Sequence, residues 1–204
     1  MPDQPLDNQQ LAQLREAIAS GDPRRAMPAL AGLREVAPDQ AIPLLLQGLE
    51  QEVFTVRSLS CAGLGIKQSP EGWTALERAL VHDQDPNVRA EAANALVSYS
   101  LERAWPLLIG AFTVNDHWLV RCSILSAVAE RTEAPSDWLL QLARLALADG
   151  DGTVRVGGAQ ILGRLVSEAG APAELSAAAR AALVPLQSDS DHRVVAAALN
   201  GLQG

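Results

Sequence analysis

Aromatic residues make up only 3% of this 204-residue chain, and lysine occurs once, at Lys67. No stretch alternates apolar and polar positions with β-branched side chains, which excludes a sheet-based core. The two cysteines, Cys61 and Cys122, stand far apart in no motif. That excludes a disulfide framework and leaves them as reduced, half-buried small residues. No apolar run approaches the ~20 residues a membrane span needs, and residues 1–8 are polar with no apolar signal core. The expectation is a soluble, cytoplasmic protein. A net charge of −8 leaves no basic stripe for phosphates, so nucleic acid is not an expected partner. His82, His117 and His192 lie near turns, and no two share a helix at i, i+4. With no thiolate or carboxylate ligands at matched spacing, no metal site is expected. Phosphate-cradling glycine loops and the Gly-x-Ser-x-Gly elbow are also missing, so nothing encodes nucleophilic catalysis.

What the chain does have is alanine and leucine, the strongest helix formers, within a hydrophobic content of 48%. It also has a ruler. Val-Arg recurs at Val56-Arg57, Val88-Arg89, Val120-Arg121 and Val154-Arg155, with Arg-to-Arg intervals of 32, 32 and 34 residues. A fixed period in that range marks a stacked repeat array. In register, each repeat reads as two helices. The spacing predicts six repeats in a single domain, at about 8–36, 39–66, 70–98, 101–130, 135–168 and 173–203. The first has Arg25-Ala26 and the last Val194-Val195 in place of Val-Arg, as capping repeats do. The segment around 169–172 reads as a local insertion.

In the third repeat a first helix over about 71–81 opens after Ser69-Pro70, and Pro86 begins the second helix with Asp85 as its cap. The carboxylate accepts orphan N–H groups, and proline lacks only an N–H that would be unused there. Asp22-Pro23, Asp149-Gly150-Asp151 and Asp189-Ser190-Asp191 repeat the turn chemistry. Val88, Ala92, Ala95-Leu96 and Tyr99 form one apolar stripe, with equivalents beginning at Val56, Val120 and Val154. Each hairpin carries two such stripes and buries both only by stacking on neighbours. Gly157-Gly158 inside a helical pattern predicts close helix packing.

Three sets of residues are candidates for function. Arg57, Arg89, Arg121 and Arg155 form a column that serves either as an anion-gripping row or as an internal ladder with turn aspartates such as Asp85 and Asp151; the ladder is the favoured reading. Six residues after each stripe valine lies the opposite side of the helix, occupied by Ala62, Asn94, Ser126, Gln160 and Asn200. Second helices line the concave side of such solenoids, so Asn94, Ser126, Gln160 and Asn200 define a neutral polar track for a partner, joined by Glu91. Trp73, Trp105 and Trp138 begin successive first helices and read as packing. Trp118 sits in the turn Asn115-Asp116-His117-Trp118, where it either caps the turn or anchors a partner.

The run Asp-x-Asp-Pro-x-Val-Arg-x-x-Ala-x-x-Ala-Leu over residues 83–96 resembles the HEAT repeat. Residues 67–121 are similar, more narrowly, to the HEAT-like repeats of cyanobacterial phycobilin lyase subunits and phycobilisome-related proteins. The resemblance implies an all-α, right-handed α-solenoid of the armadillo/HEAT type. It also implies pairing of the Arg after Val with a turn Asp of a neighbouring repeat. His117 and Val53 stand where the third repeat has Asp85, so that ladder is expected to be incomplete. The expected function is a non-catalytic scaffold or adaptor with no cofactor, gripping a protein on its concave face. The resemblance supplies the alternative: a phycobilin lyase subunit or bilin chaperone acting on phycobiliproteins, or a phycobilisome-degradation factor. In that case arginines would meet the bilin propionates and Asp116 or Glu91 the pyrrole nitrogens. The thioether would form on the acceptor protein's cysteine, so Cys61 and Cys122 need not be nucleophiles.

Overall fold

A computed structural model describes residues 5–114, 117–168 and 172–203. The described residues form twelve α-helices and two short 3-10 helices, with no strand among them. The chain divides into two compact units, residues 1–111 and 112–204. In the first, α1 (Asn8–Ile18) pairs with α2 (Pro23–Gly32), α3 (Pro38–Leu49) with α4 (Phe54–Ile66), and α5 (Pro70–His82) with α6 (Pro86–Tyr99). The boundary falls inside α7 (Leu101–Val114). The second unit holds α8 (Trp118–Ala129), α9 (Ser136–Leu147), α10 (Gly152–Ser167), α11 (Ala173–Leu183) and α12 (His192–Gln203).

Helix starts follow from cap chemistry. Asp7 and Gln10 exchange hydrogen bonds in a capping box, the Gln10 N–H reaching the Asp7 carboxylate at 2.8 Å. Asp22 accepts from the Arg24 N–H, Ser69 from Gly72, Asp85 from Asn87 and Asp151 from Thr153. Proline follows the cap at Pro23, Pro70 and Pro86.

The stripes are the core. Val88, Ala92 and Leu96 on α6, Val120, Ile124 and Val128 on α8, and Val154 and Leu162 on α10 are all fully buried. Burying such a side chain contributes roughly 1.5–3 kcal/mol, so each stack holds together by sharing these stripes between neighbours. Trp73 is buried in the first unit, meeting the Tyr99 ring edge-on at 5.5 Å, with the Arg103 guanidinium 3.7 Å from its ring centre. Trp105 and Trp138 are half-buried. A Cβ at Gly158 would come within 2.8 Å of Ala146 Cβ, so small residues there let α9 and α10 close. α10 also closes on α12 backbone to backbone: a Cβ on Gly163 would lie 2.9 Å from the Gly201 Cα.

Within each unit, successive second helices pack on one another more closely than successive first helices do. The second-helix side (α2, α4 and α6 in one unit, α8, α10 and α12 in the other) is therefore the inner side of each stack.

Candidate functional site

The arginine column is committed to structure. Arg57 grips Asp83 through Nε and Nη2 at 2.8 and 2.9 Å, while its Nη1 donates to the carbonyls of Gln51 and Glu52 in its own turn. Arg121 holds Asp149, and Arg155 holds Asp189, in the same two-pronged way. Arg155 also ties the carbonyls of Asp149 and Gly150. Arg89 donates to the carbonyls of Asp83 and Gln84; the next turn in the period contains Asn115 and Asp116, which lie outside the described residues. The planar guanidinium fork thus binds its own turn and the carboxylate of the following one.

This corrects the expected acids of the ladder. Asp85 and Asp151 take no part in it; each turns back to cap its own helix. The ladder carboxylates are Asp83, Asp149 and Asp189, the first aspartate of each Asp-x-Asp pair, and each also accepts the N–H of the second aspartate. Division of labour explains the doubling: one carboxylate cannot lie over the helix N-terminus and reach the preceding repeat at once. The two-residue spacing marks the doubling, though not which aspartate takes which role. Burial pushes the Asp83 carboxyl up, but hydrogen bonds from Arg57 and the Asp85 N–H outweigh it and hold it below its ordinary value. Arg155 and the Asp191 N–H lower Asp189 likewise.

Glu91 and Asn94 lie one turn apart on α6, both half-buried, with the Asn94 amide donating to the Glu91 carboxylate. Burial nevertheless pushes the Glu91 carboxyl above its ordinary value. In the second unit Ser126, Gln160 and Asn200 are exposed on α8, α10 and α12. None of these three side chains has a hydrogen-bond partner among the described residues. The six-residue rule therefore finds two kinds of position: a paired carboxylate–amide in one unit and open polar groups in the other.

Trp118, 42% exposed, stacks on His117 with ring centres 5.9 Å apart. His117 is the cap: its Nδ1 accepts the Leu119 N–H at 3.2 Å, so Trp118 is left to lie outward at the start of α8. Asp116 lies outside the described residues. Burial raises the thiol pKa of both Cys61 and Cys122, and the carboxylates of Glu91 near Cys61 and Asp151 near Cys122 raise it further. Neither is poised as a nucleophile. Among the described residues no three metal-ligating side chains cluster, and no helix is long and apolar enough to cross a membrane.

Residues 42–129 match the family model for HEAT repeats. The bilin biosynthesis protein RpcF of Synechococcus sp. (strain WH8020) is 30% identical over 124 residues, 56% of this chain. The chain spans 58% of that relative's length. Among solved structures, YibA of E. coli superposes with a TM-score of 0.66 at 16% identity, over 97% of this chain and 70% of that one. Human deoxyhypusine hydroxylase gives a TM-score of 0.50 at 14% identity, over 96% of each chain. At such identities these two likenesses speak for the fold alone. Residues 42–129 thus carry HEAT repeats within a helical, solenoid-like fold, and the chain is similar in sequence to a bilin biosynthesis protein.

Proposed function

We propose that the chain is a phycobilin-lyase-type subunit that handles a bilin as substrate on its second-helix face and delivers it to a phycobiliprotein. The observation that carries this reading is the 30% identity to a bilin biosynthesis protein over 124 residues. It favours bilin handling over a non-catalytic scaffold.

The residues support a narrower division of roles than the sequence suggested. Arg57, Arg121 and Arg155 are held by aspartates and are not available to bilin propionates. Glu91 suits the pyrrole end: a half-buried carboxyl with a raised pKa, oriented by Asn94, can accept a pyrrole N–H or hold a proton. The raised thiols leave covalent bonding to a cysteine of the acceptor. Ser126, Gln160 and Asn200 offer neutral hydrogen-bonding groups, and Trp118 an aromatic surface, to the acceptor protein.

The chain co-expressed with a bilin-producing pathway should purify with visible absorbance, or transfer pigment once an acceptor subunit is added. A colourless protein that transfers nothing in the presence of the acceptor would sink the lyase reading. Capture of an acceptor without pigment would return the adaptor reading to first place.

A further inference from the structure

We draw no further inference here: the strongest candidate, the outward face of α12 around Leu199, stands exposed where the equivalent Leu125 of α8 and Ala159 of α10 are buried, and nothing in the structure shows what covers it.

Discussion

Asp83 accepts two hydrogen bonds from Arg57 and one from the Asp85 N–H, with both partners of the ion pair largely buried at 15% and 12% side-chain exposure. Asp85, two residues on, is only a helix cap. The two aspartates should therefore respond differently to the same substitution. Asp83→Ala strands a buried guanidinium and should cost about 3 kcal/mol, whereas Asp85→Ala should cost about 1 kcal/mol; urea unfolding midpoints compare them directly. The ladder also sets an acid limit. Asp83 and Asp189 are held below their ordinary pKa in the fold, so the unfolded chain takes up protons first as pH falls. Their contribution is complete above about pH 5, a unit above the unfolded aspartate value, and is lost as pH drops through the lower folded values. Unfolding midpoints should stay level from pH 7 to about pH 5 and then decline, and Asp83→Asn should flatten part of that decline. Glu91 has the opposite sign. Its pKa is raised in the fold, so its contribution is full below the unfolded glutamate value, about 4.3, and fades as pH rises through the folded one. Glu91→Gln, which keeps the shape without the charge, should raise the melting temperature at pH 7 and change little at pH 4.

At the scale of helices, α10 meets α12 where Gly163 and Gly201 approach through their backbones. A valine at 163 would push its Cβ into the Gly201 Cα, and backbone cannot rotate aside. Gly163→Val should cost about 1–3 kcal/mol, measured by urea unfolding. Gly110→Ala, where a Cβ meets nothing within 4 Å, should gain about 0.4–1 kcal/mol by the same measurement. Much of this element structure was legible in the chain. Asp22, Asp85 and Asp151 announce their helices because cap chemistry is local, and the stripes beginning at Val56, Val88, Val120 and Val154 announce burial because helix period is local too. Other features resisted. Pro43 and Pro106 sit inside α3 and α7 without ending them, each on an exposed side of its helix, where water can reach the freed backbone group. Which aspartate of a pair meets the preceding arginine depends on chain direction across a turn, not on residue type. Counting six residues from each valine located a helix face but not its chemistry. It could not reveal that Asn94 is engaged by Glu91 while Ser126, Gln160 and Asn200 stay open.

The whole chain divides within α7 into two compact units, and in each the second helices pack more closely on one another than the first helices do. The chain spans 58% of the length of the bilin biosynthesis protein it resembles. Under the proposed function Glu91 and Asn94 serve the pigment in the first unit, and Ser126, Gln160 and Asn200 serve the acceptor protein in the second. The most direct measurement is bilin transfer: a phycobiliprotein acceptor subunit is mixed with free bilin, with and without the chain, and covalent pigment is read by absorbance and fluorescence after denaturing electrophoresis. The wild-type chain should accelerate attachment, and folded Asn94→Arg with Gln160→Glu should slow it at least tenfold, a loss of about 1.4 kcal/mol in transition-state stabilisation. Attachment at the same rate with and without the chain would contradict the proposed function.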